Sequence, residues 1–384
     1  SAASDVYKRQ DRTGSDEAGS TDASESTDTS ESANASSSDN ESDSTDTESM
    51  PRMANALQLA KDSGMHVVLV ANPVKDFTPD AFVELSTAER IGQIQASKLA
   101  DKLQLDTISK DNPKAVEILL PYTASADGSD DEFAKEAFAG AWSVLQPYFK
   151  KGTAYSPSGL LTADTTDGQW ESVAFEIDKD SRITDEITNR LKRKDSASHT
   201  RIDGIIAMND YVASGVVDAL DHLGYTGSAA DINPSITLPG IVGNITGKQD
   251  LHRKKVPDPI KAPENDGDAT NDGSASEKAR DTQWPIITGY GAYVDELPQL
   301  VSGHQWMTAV EDRKGAATQL AQMCLKINQG TAVKSPQNLT KGTYPGVAGK
   351  NMPTLRPDLV AVSASNLKST LIDPGYITLA DAGM

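Results

Sequence analysis

Residues 204–227 read GIIAMNDYVASGVVDALDHLGYTG, and the handover in the middle of this stretch decides the fold. Ile205-Ile206-Ala207-Met208 is a short apolar run that ends in the polar pair Asn209-Asp210. Val212, Val216, Ala219, Leu220 and Leu223 then recur three or four residues apart until Gly224, which is the pattern of a helix with one apolar face. A strand passing directly into a helix is the repeating unit of a parallel α/β sheet. The Asn-Asp pair has two readings. One of the two residues caps the helix by accepting bonds from its free N–H groups. Alternatively the pair meets a ligand, because strand C-termini in such sheets face the crevice where ligands sit.

The same alternation runs through the chain. A helix over ANALQLAKDSG leads to strand HVVLV, and a helix over 88–103 leads to strand AVEILLPY. Helix FAKEAFAGAWSVLQPYF, a short strand near SGLL, helix ITDEITNRLKR and the opening strand–helix unit follow. Strand WPIITG, helix YVDELPQLVSG, strand QWMTAV and helix RKGAATQLAQMCLKINQ complete the series. This order predicts doubly wound parallel sheets with helices on both faces. Residues 228–283, rich in Asp, Asn, Gly, Pro and Lys, and residues 330–352 break the rhythm. The first stretch is too long for an ordinary loop and reads as an insertion outside the core.

Composition narrows the function. The net charge is −20, but residues 11–50 hold twelve acids against Arg12 alone, so −11 of it sits in that segment. Those residues are Ser, Thr, Asp, Glu, Asn and Ala with no large apolar residue before Met50, a composition that predicts disorder. The first ten residues, SAASDVYKRQ, read as an adapter scar and take no part in the fold reasoning. The acidic body has no basic stripe to replace counterions, which argues against nucleic acid as a partner. His252-Arg253-Lys254-Lys255 reads as a solvated loop. Cys324 is the lone cysteine and sits in a helical apolar pattern, so no disulfide framework is available. The five histidines lack metal-ligand spacing, and the Asp268 loop has Ala279 where a calcium loop needs Glu. No Walker, nucleophile-elbow or dinucleotide motif is present, so the chain reads as a non-enzyme with no cofactor. No apolar run approaches the ~18 residues of a membrane span.

Five segments then carry a resemblance: AERIGQIQASKLADKL, FAGAWSVLQPYFKKG, DGIIAMNDYVASGVVDAL, ITGYGAYVDELPQLVSGHQWMT and VSASNLKSTLIDPGY. In this order they resemble the bacterial type I periplasmic sugar-binding proteins, the D-xylose-binding branch above all. The resemblance covers most of residues 51–384. It implies a two-lobed α/β fold, each lobe a doubly wound parallel sheet, that closes on a sugar and delivers it to an ABC importer. It places the N-terminal lobe at 51–113 and 312–335 and the C-terminal lobe at 114–311. Residues 336–384 would return across the hinge. The implied protein is a monomer located outside the cytoplasm, periplasmic or a cell-surface lipoprotein, with permease subunits as partners. Family members begin their first lobe with further strand–helix units, so about 60–90 residues of core, an export signal and any membrane anchor are expected upstream of this sequence.

Site residues carry over from the resemblance one at a time. Asn209 matches the family Asn that reaches the ligand, which leaves the capping role to Asp210. Asp131-Glu132-Phe133-Ala134 stands where the family has Asp-Asn-Asn-Ala, so Asp131 is kept and a hydrogen-bonding Asn has become Phe133. Trp170 matches the tryptophan that stacks on the ligand. Ala71-Asn72 replaces an Asp-Arg pair, Gly289-Tyr290-Gly291 replaces Gly-Gln-Asp, and Glu311 falls near a basic position. The plainer readings are an N-cap for Asp131, with its helix beginning near Glu132, and interlobe packing for Trp170. Unpaired hydroxyls in a closed site cost roughly 1–3 kcal/mol each. These departures therefore point away from D-xylose and, with Phe133, Tyr290 and Trp170, towards a larger or less polar glycoside. A protein presenting ligand to a membrane sensor and a LacI-type regulator without its DNA-binding domain are the alternatives.

Overall fold

A computed structural model describes residues 45–123, 129–179, 181–192, 200–229, 281–330 and 339–384. The acidic segment before residue 45 and residues 230–280 of the expected insertion lie outside the described residues. In chain order the elements are α1 (Thr45–Asp62), β1 (Val68–Val70), β2 (Ala81–Val83), α2 (Ala88–Lys102), β3 (Lys114–Ile118) and β4 (Leu120–Tyr122). Next come α3 (Ser129–Lys151), β5 (Ala154–Tyr155), a 3-10 turn at Trp170–Ser172, β6 (Ala174–Glu176), α4 (Ser181–Leu191), β7 (Gly204–Ile206) and α5 (Asp210–His222). The chain continues through β8 (Ile286–Tyr290), α6 (Leu297–Ser302), β9 (Met307–Glu311) and α7 (Arg313–Asn328). It ends with β10 (Leu339–Thr343), β11 (Asn351–Leu355) and β12 (Leu359–Ser363).

These elements form two compact units. One comprises the described residues up to Leu85 with those of Lys314–Pro357, the other the described residues of Ser86–Arg313 with Asp358–Met384. The first unit has a four-stranded sheet in the order β1-β2-β11-β10, where β1 and β11 run parallel to β2 and β10 is antiparallel to β11. Ala81, Val83 and Leu355 turn to the side of Met323 on α7, while Phe82 and Met352 turn to Tyr344 on the other side. That is the two-residue period of a strand. Lys61 ties α1 to the loop before β2, donating to the Thr78 carbonyl at 2.8 Å and pairing with Asp80 at 3.1 Å.

The second unit carries the larger sheet, in the order β12-β9-β8-β7-β3-β5, with every neighbour parallel except β12 against β9. A separate parallel pair joins β4 to β6. Both faces of the main sheet are covered. Ile205 joins Ile183, Ile187, Val212, Val216 and Leu220 on the α4/α5 side, and Ile206 joins Leu99, Phe138, Trp142 and Leu145 on the α2/α3 side. Each such side chain contributes roughly 1.5–3 kcal/mol by leaving water. The apolar strand flanked by helical patterns thus folds as a strand buried on both faces. Thr226 bridges Gln283, and Trp284 N donates to the Thr226 carbonyl at 2.9 Å.

Four expectations need correction. The expected N-terminal lobe at 51–113 includes the helix over 88–103, but α2 lies in the second unit, where Gly92 and Gly140 bring it against α3. A Cβ on Gly92 would sit 2.0 Å from the Ala137 carbonyl oxygen, and one on Gly140 would sit 2.0 Å from that of Glu89. Only two glycines let these backbones approach so closely. The last segment is also divided, with 339–355 in the first unit's sheet and β12 in the second's. Finally, SGLL is a turn with Gly159 at φ 76°, and the strand beside β3 is Ala154–Tyr155. Helix α1 also begins ahead of Pro51, which lies inside it.

Candidate ligand-binding site

In the second unit β3, β7, β8 and β9 run parallel, so their C-terminal ends share one edge of the sheet. The chain leaves β7 through Met208, whose φ of 62° is left-handed. That conformation is uncommon for a side chain such as methionine. It is held from outside the segment: Gln95 of α2 donates Nε2 to the Met208 carbonyl at 3.0 Å, and its Oε1 accepts from Thr288 Oγ1 on β8 at 3.3 Å. Gln95 is fully buried.

The turn at Met208 settles the division of labour in the Asn-Asp pair. Asn209 has extended backbone, φ −144° and ψ 167°, and its Oδ1 accepts from Val212 N at 2.8 Å. Asn209 is therefore the cap of α5, which leaves its amide NH2 to donate elsewhere. Asp210, expected to cap, is buried instead and accepts from Gln305 Nε2 at 2.7 Å, Thr308 Oγ1 at 2.7 Å and Tyr293 N at 3.4 Å. Burial raises its pKa above the ordinary carboxylate value, and the donors from Gln305, Thr308, Ala292 and Tyr293 act against that rise. Gly289 makes room, since a Cβ there would lie 2.3 Å from Asp210 Oδ1. Asp210 thereby joins β9 to the turn after β8, where Gly291 and Ala292 have φ of 126° and 52°.

Tyr290 ends β8, the neighbour of the strand that leads into Asn209, and Glu311 ends β9, one strand further along the sheet. Glu311 Oε1 accepts from Ser86 N at 2.6 Å. Its Oε2, together with Ser86 Oγ and Arg90 Nη1, is buried without a hydrogen-bond partner among the described residues. Trp170 opens the 3-10 turn before β6, half-buried on the α2/α3 side of the core, and Phe133 of α3 packs against the same cluster. Tyr122, the last residue of β4, meets Trp170 edge-on, with ring centroids 6.0 Å apart and planes at 88°. Sequence reasoning passed over Tyr122, and the stretch AVEILLPY, expected as one strand, divides at Leu119 into β3 of the main sheet and β4 of the separate pair.

Asp131 is exposed and lies within the first turn of α3, which begins at Ser129, so it is not the cap that the plainer reading made it. Its charge there suits the positive end of the helix. Asn72 belongs to the other unit, where it is exposed beyond β1 after Ala71 at φ 68°, a second left-handed residue following a strand. The second unit thus gathers Asn209, Tyr290 and Glu311 at neighbouring strand ends and Phe133, Tyr122 and Trp170 on one cluster. An amide NH2, a carboxylate oxygen and half-open aromatic rings form a set suited to a neutral polar ligand. Among the described residues no His, Cys, Asp and Glu grouping could hold a metal ion, and no helix is long and apolar enough to cross a membrane.

The arrangement of strands and helices is that of the type I solute-binding proteins. An ABC transporter solute-binding protein from Clostridium phytofermentans with bound β-D-glucose matches at TM-score 0.51 and 20% identity, over 86% of this chain and 78% of that one. In sequence the chain is a relative of the periplasmic sugar-binding proteins. The multiple sugar-binding periplasmic protein SbpA of Azospirillum brasilense is 23% identical over 330 residues, 85% of this chain and 71% of the relative. The D-xylose-binding periplasmic protein of Escherichia coli (strain K12) is 25% identical over 199 residues, 52% of this chain and 51% of that protein. No protein-family profile matches the chain.

Proposed function

We propose that this protein is an extracytoplasmic solute-binding protein that captures a sugar or glycoside and hands it to the permease of an ABC importer, performing no reaction on it. What supports this reading is the cap residue Asn209 at the end of β7 and the Tyr122–Trp170 ring pair, both in the second unit of a chain whose fold matches a solute-binding protein. An aromatic ring takes the C–H face of a pyranose, and an amide donates to its hydroxyls. In the second unit Asp131 and Glu311 supply further polar contacts. Phe133 and Tyr290 add apolar area that favours a ligand larger or less polar than a free pentose.

Thermal-shift screening of the full chain against monosaccharides, oligosaccharides and glycosides is expected to raise the melting temperature for at least one of them, because a ligand that binds only the native state stabilises it. A flat response across the whole panel would remove the carbohydrate reading. Trp170→Ala is expected to weaken that ligand by more than about tenfold, which is about 1.4 kcal/mol, while the free protein unfolds as before. Micromolar or tighter binding of D-xylose in calorimetry would overturn the preference for a larger ligand.

A further inference from the structure

Arg190, on the last turn of α4, is buried together with Glu117 in the middle of β3, their side chains 3% and 0% exposed. All three nitrogens of the guanidinium donate. Nε donates to Glu186 Oε1 at 2.8 Å, Nη1 to the Ile118 carbonyl at 2.6 Å and to Glu117 Oε2 at 3.4 Å, and Nη2 to the Val173 carbonyl at 2.7 Å. The other Glu117 oxygen accepts from Ser156 Oγ at 2.7 Å and Ser158 N at 2.9 Å. Stability alone gives little reason for such a group, since apolar residues of similar volume commonly serve as well in place of a buried ion pair. What distinguishes it is the pair of carbonyls that it holds.

Ile118 is the last residue of β3, and the chain runs from it through β4 to Tyr122. Val173 closes the turn that Trp170 opens, its N–H donating to the Trp170 carbonyl at 3.2 Å. The Val173 carbonyl also accepts from Leu120 N at 3.3 Å, and β4 and β6 then pair from Leu120 with Ala174 to Tyr122 with Glu176. Both members of the Tyr122–Trp170 pair thus hang from carbonyls gripped by one guanidinium. We propose that Arg190 is a positioning residue that sets the Tyr122–Trp170 aromatic face through the Ile118 and Val173 carbonyls, with Glu117 holding the guanidinium in place. Arg190 is too buried to touch a ligand. The inference rests on the proposed function in taking that face as the sugar platform. Lysine cannot replace the fork, because its ammonium is a compact point charge without the planar spread of donors.

The test labels the full chain with fluorotryptophan and reads the four tryptophans, Trp142, Trp170, Trp284 and Trp306, by fluorine NMR, with Trp170 assigned from its loss in Trp170→Phe. Arg190→Lys is expected to shift or broaden the Trp170 signal and leave Trp284 and Trp306, which pack on the opposite face of the sheet, unchanged. If Arg190→Lys does not fold, Ser156→Ala, which removes one bond to Glu117 and keeps the ion pair, is expected to move the same signal by less. A stationary Trp170 signal in the folded variant, or an equal disturbance of all four, overturns the inference. Calorimetry with D-glucose and the disaccharide cellobiose supplies the second arm. Arg190→Lys is expected to weaken binding by about tenfold in the natural background and hardly at all on top of Trp170→Ala, because two residues acting through one contact are not additive. Equal weakening in both backgrounds overturns the positioning role. Failure of the natural protein to bind any sugar would remove the carbohydrate reading, while the fluorine signal would still decide whether Arg190 sets Trp170.

Discussion

Among the described residues of the second unit two carboxylates, Glu117 and Asp210, lie fully buried, and they are satisfied in different ways. Glu117, behind the aromatic end of the candidate site, faces a buried guanidinium and two further donors. Asp210, behind the amide end, is held by Gln305, Thr308 and backbone N–H groups, and burial pushes its pKa up. The difference matters for what each can tolerate. Removing one charge from an ion pair strands the other in a medium that cannot solvate it, whereas removing a lone charge ringed by neutral donors also removes its own burial cost.

Matched substitutions test that contrast. Glu117→Gln is expected to cost about 3–5 kcal/mol in denaturant unfolding, because Arg190 is left as an unpaired buried cation. Asp210→Asn is expected to cost about 1–2 kcal/mol. Gln305 Oε1 is buried without a partner among the described residues, so a flip of that amide can meet the new NH2 group. Equal losses from the two substitutions would erase the distinction between the sites. The comparison is sharpened by pH. The folded-state pKa of Asp210 is raised, so the stability it contributes is fully present below the ordinary aspartate value of about 3.9 and is lost as pH rises through the raised value. The natural protein minus Asp210→Asn should show that decline in unfolding free energy, and a flat difference would contradict it. The smallest effect belongs to Asn209→Ala, which removes the α5 cap and is expected to cost about 1 kcal/mol. No loss at all would mean that its Oδ1 does not hold Val212 N in solution.

Both carboxylates also mark the limit of what could be read from residues in order. Glu117 stands out as a charge within AVEILLPY, but nothing near it names its partner, which arrives from α4 much later in the chain. In the Asn-Asp pair a cap was legible, yet either residue fits the local pattern. The choice falls to Asn209 because Met208 turns left-handed, and that turn is held by Gln95 and Thr288 from two other elements. Trp170, Phe133 and Asn209 were legible as candidates. Tyr122 was not, since only its contact with Trp170 sets it apart from a strand's ordinary last residue.

The sequence by itself determined the class of fold, because the periods of strand and helix and the residues that end them act over a few positions and need no partner. The alternation of apolar runs and amphipathic segments is enough to require parallel sheets covered on both faces, and the second unit has such a sheet. Only the tertiary structure decided which unit α2 joins, which residue caps α5 and which donors meet each buried carboxylate. Those outcomes depend on close approach between segments distant in the chain, as where Gly92 meets Ala137 and Gly140 meets Glu89. A buried polar group must find its partner wherever packing brings one, and packing is a property of the whole unit.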